Sequence, residues 1–168
     1  MSSRERPTRL HLIRHGEVDC EFHQVFGGRI DMELSPLGHR QAKHLAKFLS
    51  ERSFDRIYRS PMVRVKQTAA PLLKALNQTA VELDDLCEVD FGVWTGYKWH
   101  EIKDKFGKNA IDWLEHLQNG TIPEAEPINA YKMRIKKCLD LILRDGDRGD
   151  TLVFCHGGVI RMLLSLLL

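Results

Sequence analysis

Short unbroken apolar runs alternate along the chain with longer stretches in which apolar residues return every third or fourth position. The short runs predict strands at 9–14, 54–59 and 151–155, with a weaker one at 81–83. Ser35-Pro36 supplies an N-cap and a first-turn proline for a helix through Ser50, whose buried face holds Ala42, Leu45, Phe48 and Leu49. Ser60-Pro61 repeats that start for a helix carrying Val63, Arg64 and Thr68, which Pro71 should kink or split near Ala70. A broken apolar stripe of Trp99, Ile102, Phe106, Ile111, Trp113, Leu114 and Leu117 makes 98–120 helical. Pro127 opens a helix to about Arg144, and another follows His156-Gly157-Gly158. Between these lie a long loop at 18–34, a glycine-punctuated segment at 86–96 and a turn at 145–150.

Strand and helix in alternation predict a three-layer α/β/α sandwich with a mostly parallel central sheet, as one domain over 1–168 with 98–127 as a helical cap insertion. The run Thr151-Leu152-Val153-Phe154-Cys155 suits a strand buried on both faces. Two strands end alike, one at Arg14-His15-Gly16-Glu17 and one at His156-Gly157. In a parallel sheet those ends share one edge, where open α/β folds place their ligands. The helix N-terminus beside His156 adds backbone donors suited to an anion.

The 168 residues are 43% hydrophobic and 29% charged, which fits a soluble globular domain. A net charge of +2 is too small for a nucleic-acid surface or a polybasic membrane patch, whereas a small anion needs only a local Arg and His cluster. Cys20, Cys87, Cys138 and Cys155 are scattered without zinc spacing, which suits reduced thiols in the cytoplasm. Met1 to Arg9 lacks the apolar core of a signal peptide. Met162 to Leu168 is apolar but too short to span a bilayer, and reads as a helix cut off while facing a core, with further chain expected to complete it.

Taken singly, the polar residues leave alternatives open. His156 suits a hydrogen-bonded strand end as well as a ligand, Arg64 a surface helix cation, and Glu88 a turn acid. His11 and His15, four apart, suggest a metal pair only until the absence of a third placed ligand is weighed. His23, His39, His44, His100 and His116 read as surface or partly packed, and Trp94, Trp99 and Trp113 as cap core before a stacking platform.

Taken together, Arg14-His15-Gly16-Glu17, Ser60-Pro61 with Arg64 and Thr68-Ala69, Leu86-Cys87-Glu88 with Phe91-Gly92 and Trp94-Thr95-Gly96, and His156-Gly157-Gly158 with Arg161 resemble the histidine phosphatase superfamily. That family includes the cofactor-dependent phosphoglycerate mutases, fructose-2,6-bisphosphatases and α-ribazole phosphatases, and the likeness runs through nearly the whole chain. It implies a phosphoglycerate mutase-like fold and a phosphohistidine intermediate on His15. It further implies phosphate contacts from Arg14, Arg64 and His156, and proton transfer by Glu88, with neither metal nor cofactor.

Two departures bear on the substrate. Val18 and Glu21 stand where relatives often carry Thr and a phosphate-binding Asn, so either Glu21 turns away and Gln24 or the Gly27-Gly28 backbone takes over, or the pocket prefers a less charged ester. The Gly-Glu-Ser element of relatives appears as Ala125-Glu126-Pro127, which keeps only the acid. The resemblance implies a metal-independent hydrolase of a small phosphomonoester, with α-ribazole 5′-phosphate, a cobalamin precursor, as leading substrate. Phosphoglycerate mutase-type transfer, a broad-specificity phosphatase and a non-catalytic phospholigand-binding module are the alternatives. No nucleic-acid or membrane partner is expected, and the sequence leaves the oligomeric state open.

Overall fold

The computed structural model describes residues 8–145 and 149–168. Four strands, β1 (Arg9–Arg14), β2 (Arg56–Arg59), β3 (Val81–Glu82) and β4 (Asp150–Cys155), form a sheet in the order β1-β4-β2-β3. All three pairings are parallel, and β1 runs in register with β4 from Arg9 opposite Asp150 to Arg14 opposite Cys155. The two histidine-bearing strands are therefore neighbours that end together.

Side chains alternate across β4 and sort the molecule into layers. Leu152 and Phe154 pack with Ala46 and Leu49 of α1 (Pro36–Leu49) and with Val65, Ala69 and Leu72 of α2 (Val63–Leu76). Val153 and Cys155 face the other way. The helices α3 (Trp99–Phe106) and α4 (Trp113–Gln118) contribute Ile102 and Leu117 to that second core. Tyr131, Ile135 and Ile142 of α5 (Ile128–Asp145) complete it together with Val159 and Leu163 of α6 (Gly157–Leu167). Burial on both faces is what the unbroken apolar run in β4 encodes.

Several expectations are corrected. Phe48 is 70% exposed, and Gly38 and Ala46 join Ala42 and Leu49 on the buried face of α1; the Arg52 guanidinium covers the Phe48 ring from outside. α2 starts at Val63 rather than at Ser60-Pro61: the Asp31 carboxylate accepts the Val63 N–H at 2.8 Å, while the Ser60 hydroxyl accepts the Met62 N–H at 3.4 Å ahead of the helix. Pro71 does not split α2, since Val65, Ala69 and Leu72 around it are fully buried and their packing outweighs the backbone hydrogen bond that proline forfeits. β2 begins at Arg56, with Phe54 buried ahead of it against the His11 ring. In the apolar stripe over 98–120, Ile102 and Leu117 are buried whereas Ile111 is exposed. Of the C-terminal run, Met162 and Leu163 are buried and Leu164 and Leu167 are exposed. Residues 146–148 of the turn at 145–150 and residues 1–7 of the leading segment lie outside the described residues. Among the described residues, no helix is long and apolar enough to cross a membrane.

Candidate active site

His15 follows the last residue of β1, and its N–H donates to the Cys155 carbonyl at 3.1 Å, which ties it to the end of β4. Its ring Nδ1 lies 2.8 Å from the Gly16 carbonyl oxygen. A carbonyl only accepts, so Nδ1 carries the hydrogen and Nε2 keeps its lone pair. Burial, assisted by Arg64 and Arg14 and opposed by the Gly16 bond, lowers the His15 pKa to about 4, so the ring is neutral near pH 7.

The turn after His15 is clamped by both neighbouring helices. The Gly16 N–H donates to Thr68 Oγ1 at 2.9 Å, and the Glu17 N–H donates to Gln41 Oε1 at 2.8 Å. Glu17 in turn accepts the Ser35 hydroxyl at 2.7 Å, the same hydroxyl that caps α1 by accepting the Gly38 N–H. Here the chain passes backbone against backbone. A Cβ on Gly16 would stand 2.9 Å from the Gly38 carbonyl oxygen, and one on Gly38 would collide with the Glu17 carbonyl.

His156 caps α6 at the end of β4 and is completely buried. Its ring centroid is 5.4 Å from that of His15, at an interplanar angle of 61°. Nε2 is hydrogen-bonded to the Ser60 hydroxyl at 2.9 Å, while Nδ1 has no partner. Burial first, then Arg64 and His15, push the His156 pKa far down, so this ring too is neutral. It stands behind the cavity wall rather than on it.

Arg64 is 2% exposed and donates to the Ile30 and Gly28 carbonyls at 2.7 and 3.0 Å, which pins the loop over the site. Gly28, at φ 47°, makes that approach possible, and Gly27 and Gln24 lie on the same wall. Of the two alternatives left open for Glu21, the structure has the outward one: the residue is exposed and off the cavity. Arg14 reaches across the N-terminus of α6, with its Nε 3.6 Å from where a Gly157 Cβ would lie. The Glu88 carboxylate accepts the N–H of Gly158 and of Val89, each at 3.0 Å. Burial nevertheless raises its pKa, against the pull of those two bonds and of Arg64 and Arg134.

Arg14, His15, Arg64, Glu88, Gln24, Gly27 and Gly28 thus line one cavity of about 940 Å³, and His156 supports it from beneath. Phe91, Trp99, Trp113, Lys98 and Arg161 line the same cavity; the sequence put the tryptophans in a core before a stacking platform and gave Phe91, Lys98 and Arg161 no site role. Arg161 lies 5.7 Å over the Trp113 ring. Trp94 is core, as expected, whereas Trp99 is half exposed to the opening. His11 is not beside His15; its Nε2 bonds Asp150 Oδ1 at 2.7 Å, at the other end of the sheet. Among the described residues no three His, Cys, Asp or Glu side chains converge as metal ligands would.

The profile of the histidine phosphatase superfamily (branch 1) matches residues 10–168. The chain belongs to that superfamily. It is 27% identical over 160 residues to the adenosylcobalamin/alpha-ribazole phosphatase of Salmonella typhimurium, covering 95% of this chain and 79% of that protein. To phosphoserine phosphatase 1 of Hydrogenobacter thermophilus it is 29% identical over 160 residues, covering 95% of this chain and 76% of the relative. The crystal structure of the alpha-ribazole phosphatase from Shigella flexneri aligns with a TM-score of 0.81 at 25% identity, covering 94% of this histidine phosphatase and 78% of that chain. Mycobacterial relatives at 32% identity are longer, and the chain spans 46% of their length. The phosphoglycerate mutase-like fold expected from the motifs is found, and the family assigns phosphatase chemistry to the chain.

Proposed function

We propose that this chain hydrolyses a small phosphomonoester by way of a phosphohistidine on His15, without a metal or cofactor. The observation that carries the reading is the His15 ring itself, which is neutral, locked through Nδ1 to the Gly16 carbonyl and set against a second buried histidine. In the first step Nε2 bonds to phosphorus as the phosphorus–oxygen ester bond breaks, and protonated Glu88 delivers its proton to the leaving oxygen. In the second, a water oxygen bonds to phosphorus as the phosphorus–nitrogen bond breaks, and the water proton returns to Glu88. Arg14 and Arg64 grip the phosphoryl oxygens with charge that is already in place, and His156 supports the group from beneath. The raised Glu88 pKa suits the first step, which needs the acid form near neutral pH.

For the substrate we propose α-ribazole 5′-phosphate, with the chain acting in the cytoplasm as one domain whose 98–127 segment caps the site. The cavity volume of about 940 Å³ suits an ester of nucleotide size, and Phe91, Trp99 and Trp113 give it aromatic walls for a base. A second reading has its own observation. Arg161 and Lys98 bring two cationic side chains to the same cavity, which favours an ester bearing a carboxylate. The test is phosphate release from a panel holding α-ribazole 5′-phosphate, phosphoserine and 3-phosphoglycerate with its bisphosphate primer. The first should lead in kcat/KM; a lead of about 100-fold by another ester, about 2.7 kcal/mol in the transition state, overturns the assignment. Transfer to a second ester in place of phosphate release would make the chain a mutase, and no turnover of any ester, a binding module.

A further inference from the structure

Ala125-Glu126-Pro127 keeps one acid of a longer family element, and the structure gives that acid a partner the sequence does not single out. Arg134 of α5 meets Glu126 as a fork, Nε to Oε1 at 2.6 Å and Nη2 to Oε2 at 2.8 Å, with both side chains nearly buried. Its remaining three N–H groups go elsewhere. Nη1 donates to the carbonyls of Asp85 and Cys87 at 2.6 and 2.7 Å, and Nη2 to the Glu88 carbonyl at 3.1 Å. A guanidinium has five donors, and all five are used.

Three of the five fix the backbone on which Glu88 is carried. The Tyr131 ring lies 4.8 Å from the guanidinium carbon, and the Glu126 N–H donates to the Asp90 carbonyl at 3.0 Å, so the segment is held on both sides of Glu88. The same carboxylate lies 3.6 Å from Arg29 of the loop that Arg64 pins. We propose that the Glu126–Arg134 pair is the positioning device that presents the Glu88 carboxyl to the leaving-group oxygen. This rests on the reading of Glu88 as the proton donor.

The pair also sets charge. Arg64 from α2 and Arg134 from α5 are the charged groups that act on Glu88, and its carboxylate in turn acts on Tyr131 of α5 and the Cys155 thiol of β4. Both guanidinium groups favour the carboxylate form; Glu126 neutralises one of them and thereby lets Glu88 keep its proton to higher pH.

A proton donor matters for an alkoxide leaving group and far less for a nitrophenolate, so leaving-group dependence reads the positioning directly. Arg134→Gln and Glu126→Gln should lower kcat for an alkyl phosphate at least about tenfold more than for p-nitrophenyl phosphate, and Glu88→Gln should show the same selectivity. Arg134→Lys keeps the charge without the fork and should not rescue. Glu126→Gln should move the alkaline limb of kcat for the alkyl ester to lower pH. Folding is checked by the rise in melting temperature on adding inorganic phosphate, and should Arg134→Gln show no such rise, the near-isosteric Glu126→Gln decides. Equal losses on both esters in the pair variants, beside a selective Glu88→Gln, overturn the positioning role alone, as does rescue by lysine or an unmoved alkaline limb. An unselective Glu88→Gln overturns the Glu88 reading itself.

Discussion

The rings of His15 and His156 stand 5.4 Å apart at 61°, each delivered by the end of its own strand, and only the first reaches the cavity. This asymmetry divides the labour. His15 is held through Nδ1 by a backbone carbonyl and offers Nε2, while His156 is held through Nε2 by the Ser60 hydroxyl.

The first expectation concerns the nucleophile. His15→Ala should cut turnover of any phosphomonoester at least about 10³-fold, because His15 is the imidazole held through Nδ1 by a backbone carbonyl with Nε2 toward the cavity. In rapid-quench labelling the wild type should hold an acid-labile, base-stable phosphoryl group on His15. Label that survives in the alanine variant would place the intermediate on another residue.

Ser60→Ala should leave the His156 ring without its partner in a fully buried setting. Losing one such bond costs about 1–3 kcal/mol of stability, and kcat should fall as the ring loses its fixed orientation. Ser60→Thr, which retains the hydroxyl, should recover much of it; equal loss in both variants would point to packing rather than to the hydrogen bond.

Acid should destabilise the fold in a window set by His15. Its pKa is lowered from 6.5 to about 4 on folding, so the unfolded chain takes up a proton that the folded chain refuses. Stability from this group is full above pH 6.5 and is lost as pH falls toward 4, by up to about 3 kcal/mol. His156 adds to the same trend. Urea unfolding at pH 7 and pH 4.5 for wild type and His15→Gln measures it: the variant should show the smaller acid loss, and equal losses would contradict the assignment.

Gly158→Ala should act on Glu88. The added methyl group would collide with Glu88 Oε1 and approach the Tyr131 hydroxyl, and the Gly158 N–H that holds the carboxylate would be displaced with it. We expect a stability loss of about 1–3 kcal/mol, read by chemical denaturation, and a larger fall in kcat for alkyl than for aryl phosphates. A fall without leaving-group selectivity would separate this contact from proton transfer.

Trp113→Ala should raise KM for α-ribazole 5′-phosphate by about 5- to 100-fold through loss of a stacking surface, with little change for phosphoserine. A rise confined to phosphoserine would instead mark the tryptophan as support for Arg161, which lies over its ring.

The parts legible in the sequence are those that depend on short-range pattern. β4 announces itself by an unbroken apolar run, α1 by its Ser-Pro start, and the ligand edge by two strands that stop on histidine. What was not legible depends on distant partners. Ser60-Pro61 reads like the start of α1, yet its hydroxyl serves a ring 96 positions away. Nothing local separates Arg134 from Lys132, Lys136 and Lys137 beside it; only the fold turns it inward to three carbonyls and a carboxylate. Trp99 and Trp113 belong to an apolar stripe that packs on one side and opens to the cavity on the other, and periodicity does not distinguish the two.

The contact between Gly16 and Gly38 extends the proposed active site to a residue that carries no functional group. The His15 imidazole follows two bare stretches of backbone pressed together, and the clearance between them is narrower than one methyl group. Saturation mutagenesis confined to cavity-lining positions would pass over Gly38, where an alanine acts on the nucleophile's alignment from the opening turn of another helix.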